Sequence, residues 1–106
     1  LPRLGVSNWR LRLVRQLQQK KHRDAHRLTI LEGPRMCETA AAAGADVKLV
    51  LVSEAGLRAG APFVESQIAR GVECFVLAGE TLARCAPTAS PQGLLALVAI
   101  PGCKLP

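Results

Sequence analysis

Apolar runs alternate with stretches of helical spacing along most of the chain. Leu28 to Glu32 (LTILE) reads as a short strand, and its near-continuous apolar character suggests a central one. Gly33-Pro34 makes a turn, and Arg35 to Ala43 follows as a small-residue helix that Gly44 ends. Met36, Cys37, Ala40 and Ala41 form the expected buried stripe of that helix. Val47 to Val52 (VKLVLV) is the second strand. Ser53 starts a helical turn that ends by Gly60, and Pro62 opens a further helix with Phe63, Ile68 and Ala69 inward and Gly71 as its stop. Val72 to Leu77 is the third strand, Glu80 to Cys85 a helical turn or two, and Leu94 to Ile100 the fourth strand. Before all of these, Ser7 can cap a helix from about Asn8 to Gln19. Trp9, Leu13, Val14 and Leu17 fall on its packing side; Arg12, Arg15 and Gln19 fall on the other. Lys20 to Asp24 continues as a frayed helix or a short second one.

This rhythm predicts an α/β domain with one small, mostly parallel mixed sheet and helices on both faces, preceded by a basic N-terminal helix. The fourth strand follows the third after only a short segment, so it is antiparallel at an edge or inserted between others. The 106 residues are one domain, and a 49% hydrophobic share is enough for a single core. No window reaches the roughly 18 consecutive apolar residues of a membrane span, and arginines interrupt the N-terminal apolar run, so it is no secretory signal. The chain starts on Leu1 and reads as a trimmed or processed piece.

Charge divides the chain. The net +6 is concentrated in residues 1–35, which hold nine Lys or Arg against Asp24 and Glu32. A globular body with one cationic end suits a polyanion, most simply nucleic acid; the plainer reading is a solvated basic helix. Cys37, Cys74, Cys85 and Cys103 form no CxxC pair, which argues against a zinc ribbon. They read as free thiols of a reducing compartment, with a disulfide left open by the spacing. His22 and His26 are four apart, but no third ligand lies near them in sequence. Phosphate loops, dinucleotide fingerprints, nucleophile elbows and HExxH are all missing from the sequence.

Nucleic-acid chemistry has more behind it. Lys20, Lys21 and Arg23, with Arg27, form a compact cationic run. Arg35 starts a helix, where free backbone N–H groups and the positive dipole end suit phosphate. Gly33 admits a close backbone approach, and Glu32 can accept from base amines or 2′-hydroxyls, unless it serves as a local partner of Arg23 or Arg35. Gln92, in the loop Thr88 to Gly93, can donate and accept at once; the loop reads equally as a rigid connector. With only Trp9, Phe63 and Phe75 as aromatics, an aromatic stacking platform is not expected. Replacing Arg23 or Arg35 by Ala is expected to weaken RNA binding with little effect on folding.

Three stretches together carry a family resemblance: LQQKKHRDAHRLTILEGPRMCETAAAAGA, VKLVLVSEAG, and ARGVECFVLAGETLARCAPTASPQGLLALVAIP. Over about Trp9 to Pro101 the chain resembles the N-terminal substrate-binding domain of the SpoU/TrmH RNA ribose 2′-O-methyltransferases. The resemblance implies a three-layer α/β/α sandwich similar to ribosomal proteins that bind kink-turn RNA. It implies that Glu32, Gly33 and Arg35 sit where those relatives touch RNA, and that the partner is structured RNA, ribosomal by preference. Residues 1–27 are then the basic helical segment, 28–101 the RNA-binding body, and 102–106 the start of a linker to a catalytic domain. That absent domain would bind S-adenosylmethionine and form the homodimer. This segment alone would hold no cofactor or catalytic residue, would be inactive and monomeric, and would work in the cytoplasm or an organelle matrix. The alternative is a free-standing RNA-binding or ribosome-associated protein of the same fold. His22, Arg27 and Thr29 depart from the family's common residues and leave the RNA target open.

Overall fold

A computed structural model describes residues 1–87 and 92–100. Within them the order is α1 (Trp9–Gln16), α2 (Lys20–His26), β1 (Leu28–Glu32), α3 (Pro34–Ala42), β2 (Val47–Val52), α4 (Leu57–Ala69), β3 (Glu73–Val76), α5 (Gly79–Cys85) and β4 (Leu94–Ala99). The strands form one sheet in the order β1-β4-β2-β3. β2 and β3 are parallel, while β4 runs antiparallel to both β1 and β2. Three of the four strands therefore share one direction, yet two of the three pairings are antiparallel. The sheet is mixed because β4 is inserted, one of the two placements the short connection allowed.

Insertion of β4 changes the place of β1. It is an edge strand, bonded only to β4, and all five residues are half-buried. β4 takes an interior position beside β2, and Leu94 to Val98 are buried without interruption. The polar positions Thr29 and Glu32 mark β1 as the strand with a wetter environment.

Side chains alternate across the sheet and build two cores. On one face Leu11 and Val14 of α1, Leu17 just after it, and Leu82 and Cys85 of α5 meet Leu49, Leu51, Leu95 and Leu97. On the other, Cys37 of α3 and Phe63 and Val64 of α4 meet Val50, Val52, Cys74, Leu94, Ala96 and Val98. This is the three-layer arrangement. Val47 joins the second core although its odd number would pair it with Leu49 and Leu51. A bulge explains it: Val47 opposes Val98 and Leu49 opposes Leu97, so Lys48 is an extra residue that flips the alternation.

The helices differ in detail from their sequence reading. Asn8, not Ser7, caps α1, its side chain accepting from the Arg10 N–H, and the helix ends at Gln16. Lys20 to His26 is a separate second helix. Trp9 is 56% exposed; Leu11 takes the buried place instead. Met36 is equally exposed, outside the stripe that buries Cys37. α4 is continuous through Pro62 rather than starting there. Its buried face is Gly60, Phe63, Val64 and Gln67, and Ile68 and Ala69 point outward. Gly44 and Gly71 take positive φ beyond α3 and α4 as expected. No helix among the described residues is long and apolar enough to cross a membrane. Cys37, Cys74 and Cys85 are buried free thiols; Cys103 lies outside the described residues.

Candidate functional site

Because β1, β2 and β3 run together and β4 runs back, the ends of the first three strands gather with the start of the fourth. Glu32 closes β1, Ser53 follows β2, and Gln92-Gly93 leads into β4. At this edge Gln92 donates its backbone N–H to Glu32 Oε2 at 3.0 Å. Gly33 donates to the Leu94 carbonyl at 2.9 Å. Gly33 has φ +93°, and a side chain there would press on the Gln92 amide, the nearest atom being Oε1 at 2.7 Å. The β1–α3 turn and the entry to β4 are thus locked together, with the Gln92 amide lying over the glycine.

A second contact stiffens the edge. Ser53 donates its N–H to the Gly93 carbonyl at 2.9 Å, and its hydroxyl accepts from the Gly56 N–H at 3.0 Å. Gly56 lies so close to Gly93 that any side chain would run into the Gly93 carbonyl. The two glycines allow α4 to start directly against the loop before β4. Sequence reasoning took Ser53 only as the start of a helical turn and did not single out Gly56; a Ser-x-x-Gly directly after a strand was the available signal.

Beside this edge lies an open groove of about 960 Å³ between α3 and the start of α4. Glu32, Arg35, Met36, Glu38, Thr39 and Gln92 line it, with Ala40, Ala43 and Ala59 as an apolar floor. Arg35 is exposed in the first turn of α3, where Pro34 and the helix start leave the next backbone N–H groups without intrahelical acceptors. The groove therefore offers a guanidinium, two carboxylates, a primary amide and a hydroxyl over an apolar bed. Such a set can take a phosphate and a polar planar group together.

Of the residues singled out from the sequence, the fold brings Glu32, Gly33, Arg35 and Gln92 to one place across 60 positions of chain. Glu32 accepts from the Gln92 backbone, a partner that spacing along the sequence does not reveal. Lys20, Lys21 and Arg23 are elsewhere, on α2. Lys20 pairs with Asp24 at 2.8 Å, and Lys20 holds that exposed carboxyl below its ordinary range. Arg23 donates to the carbonyls of Leu17 and Gln18 at 3.0 and 2.9 Å. It covers carbonyls at the end of α1 and so has a structural task as well as a charge. Lys21 is exposed. His22 and His26 stack, their ring centroids 6.4 Å apart. Thr88 to Pro91 lie outside the described residues.

A family model described as MRM3-like substrate binding domain matches residues 8–96. The chain belongs to this family. Its architecture is also that of solved methyltransferase structures. An RNA 2′-O ribose methyltransferase is 27% identical, with a TM-score of 0.75, and its match covers 100% of this chain and 40% of that one. An rRNA methyltransferase from Sinorhizobium meliloti is 23% identical at a TM-score of 0.71, covering 90% of this chain and 35% of its own. The SpoU methyltransferase AviRb from Streptomyces viridochromogenes, solved with AdoMet, is 18% identical at 0.74, covering 92% and 35%. No curated protein matches the sequence. The chain thus spans 35–40% of the length of these structures. The resemblance to SpoU/TrmH enzymes is borne out at the level of family and fold, and the MRM3-like match, running from residue 8 to residue 96, includes the whole gathered edge.

Proposed function

We propose that this MRM3-like domain is the RNA-recognition part of an S-adenosylmethionine-dependent RNA 2′-O-ribose methyltransferase, and that its RNA is ribosomal. The observation that carries this is the edge at which Glu32, Gly33, Arg35 and Gln92 converge inside a substrate-binding family match. In this reading residues 28–101 form the RNA-binding body, 1–27 a basic helical segment, and 102–106 the start of a linker. Arg35 and the α3 start take a phosphate. The Gln92 amide, held by the Glu32–Gln92 backbone bond, reads a base edge or a 2′-hydroxyl. Lys20, Lys21 and Arg23 on α2 add sequence-independent attraction.

The methyl donor and the reacting groups belong to a separate catalytic domain, which would also hold a homodimer together. No residue of this chain is assigned to them, and the segment alone is monomeric and inactive. The compartment is the cytoplasm or an organelle matrix.

The test is binding of a structured ribosomal RNA fragment and of duplex DNA at two salt concentrations. Salt-sensitive preference for the RNA is expected. Arg35→Ala should weaken binding and lower the salt slope by about one. Gln92→Ala should narrow the preference between RNAs more than it changes the slope. Equal affinity for RNA and DNA, or unchanged binding in both variants, would overturn the assignment.

A further inference from the structure

The outward face of α1 is a surface that the gathered edge does not use. No acidic residue occurs before Asp24, so the helix and its approach carry cations and neutral groups alone. Arg12, Arg15, Gln16 and Gln19 are all exposed. Among the described residues neither Arg12 nor Arg15 is ion-paired, whereas Arg3, Arg10, Lys20 and Lys48 all are. At the start of the same face stands Trp9, 56% exposed. Trp9, Arg12 and Gln16 are three and four residues apart, and Arg12 and Arg15 three, so they are neighbours along the helix surface.

Trp9 is not a stray hydrophobe. The Arg10 guanidinium lies 4.7 Å from its ring centroid and 4.8 Å from that of Phe75. Arg10 is fixed by two hydrogen bonds to Glu73, at 3.1 and 2.9 Å. The indole is thereby held against a rigid cation while more than half of the residue remains in water. An exposed indole steadied in this way is a stacking surface, and its cationic neighbours favour an anionic occupant over an apolar protein face. Glu73 begins β3, while the gathered edge lies at the other end of the same strands. The α1 surface is therefore a separate place.

We propose that the α1 face is a second RNA contact: one unpaired nucleobase stacks on Trp9, and flanking phosphates sit on Arg12 and Arg15. This rests on the reading of the domain as an RNA binder and adds single-stranded RNA next to the structured element as the class of ligand. Two contacts at opposite ends of the sheet would fix the orientation of the RNA as well as its position.

Trp9 is the single tryptophan of the chain, so its emission reports on this contact alone. The chain would be titrated with short single-stranded RNA, with an abasic strand of equal length, and with duplex RNA. Emission should be quenched by the single strand and much less by the other two. Trp9→Ala should lower single-strand affinity about tenfold and Trp9→Phe should restore most of it. Arg12→Ala with Arg15→Ala should weaken the abasic strand as well and reduce the salt slope by about two. Circular dichroism should be unchanged, since Arg10 keeps Glu73 and Phe75. Structured RNA bound by an unquenched Trp9, or full single-strand affinity in Trp9→Ala, would overturn this contact while leaving the gathered edge standing. No binding of any RNA would overturn both. Arg35→Ala should leave the quench intact, which separates the two sites.

Discussion

At the residue scale, two positions carry more than their type suggests. Gly33 combines φ +93° with the Gln92 amide packed over it. Gly33→Ala should cost about 1–3 kcal/mol, from a strained backbone and a displaced amide together. Thermal denaturation should show it as a fall of several degrees, and an unchanged midpoint would mean that the turn relaxes freely. Arg23 is the second. Its bonds to Leu17 and Gln18 carbonyls correct the expectation that it acts in binding alone. Arg23→Ala should lower stability by about 1 kcal/mol, since these are charge-assisted bonds in a partly exposed place. Arg35→Ala, on an exposed first-turn residue, should not. Urea midpoints of the two variants give the comparison.

At the element scale, α4 runs through Pro62, which removes the bond its nitrogen would make to the Arg58 carbonyl one turn earlier. Pro62 is exposed, so nothing in the core requires its ring. Pro62→Ala should stabilise the domain by about 1–3 kcal/mol and leave RNA binding unchanged. A lower melting temperature would show that the proline fits a bend the core needs. The same helix shows the limit of punctuation signals. A proline six residues into a helix reads like a helix start, because its fixed φ suits both places. Only the packing of Gly60 against Leu94 and of Phe63 and Val64 into the second core makes the earlier turn continuous with the later one.

At the scale of the whole molecule, both cores hold thiols. Burial raises the Cys37 thiol to about 12, aided by the charges of Glu38 and Glu32. Burial likewise raises Cys74, and Cys85 against a small opposing effect of Arg15. An unfolded thiol ionises near its ordinary value of 9.0, while folded Cys37 keeps its proton to about 12. The unfolded state therefore binds fewer protons in that window. Stability should be complete below about pH 9 and decline as pH rises from there toward 12. Melting temperature against alkaline pH checks the sign, and a Cys37→Ala variant should flatten part of the decline. For the same reason Cys37, Cys74 and Cys85 should react with a thiol reagent only as the domain unfolds.

The sequence by itself determined the elements and much of the surface chemistry. β1 and β2 were legible to their end residues, β4 nearly so, and Gly44 and Gly71 were readable as stops, because apolar period and glycine conformation are local properties. The grouping of Glu32, Gly33 and Arg35 was legible for the same reason: they are neighbours in the chain. What only the tertiary structure decided is which strand lies between which. The insertion of β4 put β1 at the edge, carried Gln92 to Glu32, and set Gly93 against Ser53 and Gly56. The packing of α1 likewise left Trp9 in water and buried Leu11, a choice both residues' hydrophobicity would have allowed either way. Local pattern fixes which faces are apolar, but pairing order depends on contacts between residues far apart in sequence, whose loop-closure cost and packing gain no short window contains.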